Sequence, residues 1–239
     1  YRYFTIVMRA AGVSESELDE RIGPIYSAEP SVTTTILAAP GDIQIHLQAR
    51  GNTREQARTI AEEVAKNVES ELGDAVYNRG TEPIEEVVGL RLRELGLTLA
   101  VAESCTGGLL AQRLTNVPGS SDYFLGGWIS YGRAFKKAWL AVPEETIIEH
   151  GIVSAETAMS MASNAKEKAG ASFAVSVTGF AGPTGGTDTI PVGTIYIGVA
   201  DPAGNVRVVQ RRFPGDRTFV RTLAVQTALE QLLGKLRKA

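Results

Sequence analysis

Three short segments of the chain combine hydroxyl residues, glycines and lysines in patterns that can support chemistry. In the first, residues 102–108, an apolar stretch leads into Glu-Ser-Cys-Thr-Gly-Gly just before a predicted helix. This turn can present Ser104 as a nucleophile, and backbone N–H groups of Thr106, Gly107 and Gly108 can bind a developing negative charge. The alternative is that Ser104 or Thr106 only caps the helix, which is the usual task of a hydroxyl residue at this position.

The second segment runs from Gly126 and Gly127 to Tyr131 and then into a predicted helix that contains Lys136 and Lys137. Neighbouring residues of a helix point about 100° apart, so one of these lysines can face a site while the other meets water. The alternative is a pair of ordinary surface lysines, because most lysine side chains are solvated.

The third segment, residues 177–187, places four glycines and interleaved threonines directly after an apolar strand. Successive N–H groups of such a loop can form a nest for a phosphate, although no P-loop lysine follows and the spacing is not that of a dinucleotide fold. A flexible connecting loop is the alternative.

Open α/β sheets bind ligands at the carboxyl ends of their strands, and all three segments follow predicted strands. We therefore expect them to meet in one site.

Absent motifs narrow the chemistry further. The sequence has no His-Glu-x-x-His, no Gly-x-Ser-x-Gly and only two histidines, so hydrolysis through serine needs a lysine base unless His150 serves. We interpret His150 as a residue that complements the carbonyls at a helix end.

Cys105 is an intrinsically better nucleophile than serine, but it has no histidine partner placed to activate it and is interpreted as a small buried residue. Glu103 either stabilises the helix N-terminus, which we favour, or orients Lys136.

Composition excludes several classes of protein. With 44% hydrophobic and 21% charged residues, the 239-residue chain resembles an average globular protein. Its apolar runs are far shorter than the roughly 20 residues of a membrane span, so no membrane partner is expected. A single cysteine allows no internal disulfide, which favours the cytoplasm as the location of the protein. With only two histidines beside this cysteine, the chain has no set of ligands for a structural zinc. Because the first residue is Tyr rather than Met, we interpret the chain as part of a longer protein.

The charge distribution argues against nucleic acid as a partner. Residues 1–80 hold 8 Lys and Arg against 12 Asp and Glu, a net charge of −4, while the remainder carries +1. Neither part has the basic surplus with which proteins neutralise phosphates.

Hydrophobic periodicity predicts two domains with a boundary near residue 79. Residues 1–79 read as β-α-β-β-α, with a hairpin at Pro40-Gly-Asp42 and an amphipathic helix from Arg54 to Leu72. Residues 80–239 alternate strands and helices, which predicts a three-layer α/β/α domain around a mixed sheet. In this second part we predict a helix from about Gly107 to Thr115 and a strand over residues 127–131.

The second domain resembles a known family. Four of its segments are similar to motifs of the nicotinamide-nucleotide amidases. They are Ala102-Glu-Ser-Cys-Thr-Gly-Gly108, the spacing Tyr131-x-x-x-x-Lys136, Thr178-Gly-x-Ala-Gly-Pro-x-Gly-Gly186, and Phe213-x-Gly-Asp-Arg217 with Arg221. These amidases form the C-terminal domain of the competence/damage-inducible protein CinA. The first domain resembles the KH-like middle domain of the same proteins, which carry a further N-terminal domain that acts on ADP-ribose and is absent here.

The resemblance implies a function and a set of site residues. The function is hydrolysis of the carboxamide of nicotinamide mononucleotide to nicotinate mononucleotide and ammonia, without a metal or cofactor. It implies Ser104 as nucleophile and Lys136, helped by Tyr131, as the activating group. Further residues implied in binding the substrate, its oxyanion or its phosphate are Thr106, Gly107, Gly108, Gly127, Thr178, Gly179, Ala181, Gly182, Gly185, Gly186, Arg217 and Arg221.

Some features favour other interpretations. The chain departs from the family pattern at Gly132-Arg-Ala134, at Ile190 and at Phe180, which keeps open a degenerate module that binds a nucleotide without turnover. A KH-like domain suggests RNA, but residues 1–80 lack the Gly-x-x-Gly loop that clamps its backbone. We interpret this domain as an adaptor for packing and oligomerisation, with a homodimer as the expected assembly.

Overall fold

The computed structural model describes all residues, Tyr1–Ala239, and divides into two compact units, Tyr1–Ile84 and Glu85–Ala239. None of its helices is long and apolar enough to cross a bilayer. Each unit contains its own antiparallel or mixed sheet, so each is described separately.

The first unit is a four-stranded antiparallel sheet with two helices. Its elements are β1 (Arg2–Ala11), α1 (Glu15–Ser27), β2 (Val32–Ala39), β3 (Asp42–Gly51), α2 (Arg54–Leu72) and β4 (Val76–Asn78). The strand order is β2-β3-β1-β4. Ser14 and Thr53 cap the two helices, each accepting a bond from an amide three residues on. Alternate residues of β1 and β3, among them Met8 and Ile45, are buried against the helices. The short strand β4 is an addition to the predicted β-α-β-β-α pattern.

The second unit is a five-stranded sheet between helices. Its elements are α3 (Ile84–Leu95), β5 (Leu99–Glu103), α4 (Leu109–Thr115), β6 (Phe124–Ile129), α5 (Arg133–Leu140), α6 (Glu144–His150), α7 (Ala155–Ala169), β7 (Phe173–Gly179), β8 (Thr194–Ala200), β9 (Val206–Arg212) and α8 (Arg217–Leu236). The strand order is β6-β5-β7-β8-β9. The first three strands are parallel, and β8 and β9 are antiparallel to their neighbours. Helix α7 packs on one face, while α4 and α8 pack on the other.

Two predicted element boundaries were wrong. Helix α4 begins at Leu109 rather than Gly107, because Gly107 and Gly108 have φ angles of 59° and 97°, which lie in the left-handed region that glycine tolerates. Strand β6 covers Phe124–Ile129 rather than residues 127–131. Its pairing with β5 ends at Ile129, because the chain then turns so that carbonyl oxygens of the next two residues meet Lys136.

Candidate active site

A serine and a lysine are in direct contact at the carboxyl ends of the parallel strands. Ser104 follows β5 and is held there by its N–H, which donates to the carbonyl of Val177 on β7 at 2.9 Å. Lys136 lies on α5 and is 0% exposed, while Ser104 is 7% exposed. The Lys136 Nζ lies 2.7 Å from the Ser104 Oγ. This is the distance at which a general base can accept a hydroxyl proton.

The Lys136 amine is buried among three oxygen atoms. Besides Ser104, Nζ contacts the carbonyl oxygens of Ser130 at 2.7 Å and Tyr131 at 3.3 Å. Nζ donates in all three contacts, and the Ser104 hydroxyl in turn donates to the Tyr131 carbonyl at 3.5 Å. When the amine is neutral, its lone pair can instead accept the serine proton. Burial lowers the pKa of Lys136 to about 8, because a desolvated ammonium is unfavourable.

The two adjacent lysines have separate environments. The Lys137 ammonium forms an ion pair with Glu144, which also pairs with Arg133. Lys136 faces inward, because the amide of Lys136 bonds to the carbonyl of Gly132 and starts a helix whose buried residues are Lys136 and Leu140, one turn apart. Only Lys136 is therefore positioned to act on Ser104.

Cys105 adjoins the nucleophile candidate but is poorly suited to attack. Its side chain is buried, and burial raises the pKa of the thiol to about 12. Because the thiolate is the reactive form, this thiol is chemically inert near neutral pH.

Glu103 fixes the turn that carries Ser104. Its buried carboxylate accepts hydrogen bonds from the amides of Gly108 at 3.0 Å, Leu110 at 3.1 Å and Ala111 at 2.8 Å. This is the helix-terminal role that the sequence favoured, and the carboxylate satisfies amides that the start of α4 would leave without partners.

The same bonds change the assignment of oxyanion donors. The Gly108 amide donates to Glu103 and the Gly107 amide to the Ser104 carbonyl at 3.0 Å. The sequence-based assignment of both amides to anion binding is therefore not what the structure provides. The amides of Cys105 and Thr106 make no hydrogen bond to other residues, so they remain as the donors beside Ser104.

Tyr131 contributes to the site in two ways. Its carbonyl oxygen accepts from Lys136, while its phenol is 57% exposed and accepts a hydrogen bond from Arg217 at 2.8 Å. A second nitrogen of Arg217 donates to the carbonyl of Gly182 at 2.8 Å. Arg217 thus links the end of β6 to the glycine-rich loop, and the contact between Tyr131 and Lys136 is made by the backbone rather than the phenol.

Thr106 and Arg221 form a second polar pair beside the turn. Arg221 donates to the Thr106 carbonyl at 2.7 Å. The Nε of Arg221 and the hydroxyl of Thr106 are buried without a hydrogen-bond partner. Buried polar atoms without partners are uncommon, so these two atoms mark a place where a ligand or water can bind.

Several predicted binding residues also have packing roles. The Thr178 hydroxyl bonds to the Ile152 carbonyl at 3.4 Å. A Cβ at Gly127 or Gly179 would lie 2.3 Å or 2.6 Å from backbone oxygens of neighbouring strands, so glycine is required there for close strand packing. In the loop after β7, Ala181 is buried, a Cβ at Gly182 or Gly186 would collide with Val192, and one at Gly185 would approach Phe180.

The residues that depart from the family pattern also have structural roles. Phe180 and Ile190 pack on the cluster formed by Val153, Ala158 and Tyr196. Arg133 pairs with Glu144 at the surface. None of these side chains contacts Ser104 or Lys136, so they leave the serine–lysine contact unchanged.

Comparison with known proteins identifies relatives of both units. Residues 81–236 match the family described as "CinA C-terminal domain", and residues 5–78 match "Damage-inducible protein CinA KH domain". A CinA-like protein of Solibacter usitatus is 49% identical over 228 residues, which cover 95% of this chain and 55% of that protein. A putative competence-damage inducible protein of Moorella thermoacetica is 39% identical and covers 98% of this chain and 56% of its own length. The chain thus spans about half the length of these relatives.

Crystal structures of similar proteins match about two thirds of the chain. A CinA superfamily protein from Klebsiella pneumoniae aligns with a TM-score of 0.63 and 32% identity, covering 65% of this chain and 97% of that chain. A competence/damage inducible protein from Agrobacterium tumefaciens aligns with a TM-score of 0.61 and 38% identity, covering 67% of this chain and 99% of that chain.

Proposed function

The chain belongs to the CinA family, and from this premise we propose that its second unit hydrolyses the carboxamide of nicotinamide mononucleotide, giving nicotinate mononucleotide and ammonia. The observation that carries the proposal is the buried contact of 2.7 Å between the Lys136 amine and the Ser104 hydroxyl. Amide hydrolysis needs a nucleophile and a group that accepts and returns a proton, and this pair supplies both.

The first half of the reaction forms an ester on the protein. The Ser104 oxygen attacks the carboxamide carbon while its proton moves to the neutral Lys136 amine. The oxyanion of the tetrahedral intermediate accepts bonds from the free amides of Cys105 and Thr106, which lie beside the nucleophile. The carbon–nitrogen bond then breaks, and Lys136 returns the proton to the departing nitrogen, which leaves as ammonia.

The second half restores the serine. A water molecule takes the position of the ammonia, gives a proton to Lys136 and attacks the ester carbon. When the ester bond breaks, Lys136 gives this proton to the Ser104 oxygen. The new carboxyl group loses its remaining proton to bulk water, and the nicotinate nucleotide leaves as its carboxylate. The carbonyls of Ser130 and Tyr131 hold the amine at the serine throughout.

Arg217 is the better candidate to bind the phosphate of the substrate. It is exposed, and its guanidinium bonds only to neutral acceptors, the Tyr131 phenol and the Gly182 carbonyl. A phosphate forms stronger, charge-assisted bonds with the same guanidinium. Arg221 is less exposed and donates to the Thr106 carbonyl, so we propose that it supports the turn rather than binding the phosphate.

Ammonia release distinguishes this enzyme from a module that only binds nucleotide. The chain of residues 1–239 is incubated with excess nicotinamide mononucleotide, and ammonia and nicotinate mononucleotide are quantified over time. We expect many equivalents of both products per chain, in equal amounts. Binding of the mononucleotide without product would refute the proposed amidase and leave the binding module as the explanation.

A further inference from the structure

One residue close to the serine–lysine pair has a strained backbone. Ala141, which directly follows α5, has a φ angle of 50° and is the only non-glycine residue of the chain with a positive φ. This left-handed conformation is unfavourable for a residue that carries a Cβ. Strained residues persist only where the surrounding structure holds them, and they are frequent at functional sites. Ala141 therefore needs contacts that keep it in this conformation.

The turn at Ala141 closes on the backbone of the catalytic lysine. The amide of Val142 donates to the carbonyl of Lys136 at 3.1 Å, and the amide of Ala141 donates to the carbonyl of Lys137 at 3.0 Å. A left-handed residue directly after a helix is a common helix end, and glycine is the usual residue there. Because the Lys136 carbonyl is one of the acceptors, the position of this residue is coupled to the strained turn.

Asn164 on α7 binds two carbonyl groups of the same turn. Its Nδ2 donates to the carbonyl of Leu140 at 2.7 Å and to that of Ala141 at 3.2 Å. An amide nitrogen has two N–H groups, so it can serve both acceptors. The last carbonyls of a helix have no partner within the helix. A single side chain from another element therefore supplies the partners at the end of α5.

Helix α5 depends on such contacts because it has only eight residues. Isolated helices of this length are not stable in water. Its N-cap residue, Gly132, provides no side-chain hydrogen bond. At the other end, Leu140 is fully buried in one cluster with Met161 and Ala162 of α7. Helix α7 in turn packs on the sheet, so Leu140 and Asn164 attach the end of α5 to the body of the unit.

We propose that Asn164 is a positioning residue, which keeps the Lys136 amine at the Ser104 hydroxyl by holding the strained turn after α5. Without its amide, the end of α5 loses the partners of two carbonyls and can shift, which lengthens the contact of 2.7 Å between Nζ and Oγ. A misplacement of 1 Å can lower a rate about 100-fold. The effect on rate rests on the proposed amidase function, whereas the effect on the amine needs no substrate.

The environment of the amine provides a measure of its position. Burial is the larger cause of its pKa of about 8, and the nearby Cys105 thiol has a smaller, opposite effect. The other groups around it are neutral or paired with one another: the Ser104 hydroxyl, the Ser130 and Tyr131 carbonyls, and Arg133 and Lys137, which pair with Glu144. If α5 shifts, water reaches the amine and its pKa should rise toward the ordinary value.

The deciding measurement is the pKa of the Lys136 amine, followed by NMR in protein with carbon-13-labelled lysine side chains. Lys136→Met identifies the signal. We expect about 8 in the wild type and about 9 or higher in Asn164→Ala. Asn164→Leu keeps a side chain of similar volume but has no donor. It should have the same effect, and it serves if Asn164→Ala does not fold.

The pH dependence of ammonia release provides a second measurement. A pKa of about 9 instead of 8 lowers the neutral fraction of the amine about tenfold at pH 7 but only about twofold at pH 9. The loss of kcat/KM for nicotinamide mononucleotide in Asn164→Ala should therefore be about five times larger at pH 7 than at pH 9. A smaller amount of folded protein would lower the rate equally at both pH values.

The matched control is Asn205→Ala. Asn205 lies between β8 and β9, where its amide donates to Asp201 at 3.5 Å, at the end of the sheet opposite Ser104. This variant should keep the wild-type pKa and rate. The proposal is overturned if the Lys136 pKa is unchanged in folded Asn164→Ala or Asn164→Leu, or rises equally in Asn205→Ala. A wild type that releases no ammonia would refute the amidase function instead, and the comparison of pKa values would still decide the role of Asn164.

Discussion

The buried position of Lys136 predicts a specific pH dependence of the reaction. With a pKa of about 8, roughly one tenth of the amine is neutral at pH 7, half at pH 8 and nine tenths at pH 9. Since only the neutral amine accepts the serine proton, kcat/KM should rise about fivefold from pH 7 to pH 8 and about twofold from pH 8 to pH 9. A lysine with an unperturbed pKa of about 10.4 would instead give a rise of about tenfold in each interval.

The assay is ammonia release from nicotinamide mononucleotide at low substrate concentration, measured at half-unit steps of pH. Lys136→Met should lower kcat/KM by about 100- to 10,000-fold, the usual contribution of a general base. Lys137→Met removes the neighbouring surface charge and should leave both the rate and its pH profile unchanged. A profile that keeps rising tenfold per pH unit above pH 9, or the wild-type profile in Lys136→Met, would refute the role of this amine.

The same pKa shift affects stability. The folded state lowers the pKa of Lys136, so between about pH 8 and pH 10.5 the unfolded chain binds more protons than the folded chain. The unfolding free energy that is lost by burying the charged amine is therefore largest below pH 8, and this loss decreases as the pH rises through this window. Relative to Lys136→Met, the wild type should gain roughly 2 to 3 kcal/mol of unfolding free energy between pH 7 and pH 10, measurable by urea titration.

Three further predictions follow from other contacts. Glu103→Gln weakens the carboxylate bonds to the start of α4 and should lower the unfolding free energy in urea by about 1 to 3 kcal/mol, whereas an unchanged value would show that these bonds do not stabilise the turn. Tyr131→Phe keeps the carbonyl that binds Lys136, so kcat for ammonia release should fall less than about tenfold; a loss as large as that of Lys136→Met would assign proton transfer to the phenol. Single-stranded RNA at low salt should not bind with micromolar affinity in a fluorescence anisotropy titration, because residues 1–80 carry a net charge of −4, and such binding would show that the acidic unit has a local RNA site.

The sequence supports the general fold because hydrophobic periodicity and glycine positions are local signals. The alternation of apolar strands with amphipathic helices indicates an α/β second unit, and Gly73 after Leu72 marks the end of α2. The boundary errors at α4 and β6 arise from effects that periodicity does not contain. Two glycines in left-handed conformation shift the start of α4 from Gly107 to Leu109, and the turn toward Lys136 ends β6 at Ile129.

The candidate site was less accessible from the sequence, because glycine has both functional and packing uses. Gly127, Gly179 and Gly186 are predicted to bind a ligand, and a side chain at each would also collide with neighbouring backbone, so their presence in the sequence does not by itself indicate a site. The Ser130 carbonyl beside Lys136 and the bond between Tyr131 and Arg217 depend on three-dimensional contacts. No sequence signal identifies a backbone carbonyl as a partner of a lysine. Glu103, by contrast, could be assigned to the helix start from its position alone.

The central claim is that Ser104, and not its neighbour Cys105, attacks the carboxamide. Its most direct test is the rate of ammonia release by Ser104→Ala and Cys105→Ala, with binding of nicotinamide mononucleotide measured by calorimetry in both. Ser104→Ala should abolish turnover while its dissociation constant stays within roughly tenfold of the wild-type value, because the hydroxyl acts mainly in the transition state. Cys105→Ala should retain turnover, since the pKa of this buried thiol is raised to about 12. Substantial activity in Ser104→Ala, or its loss in a folded Cys105→Ala that still binds the mononucleotide, would contradict the account.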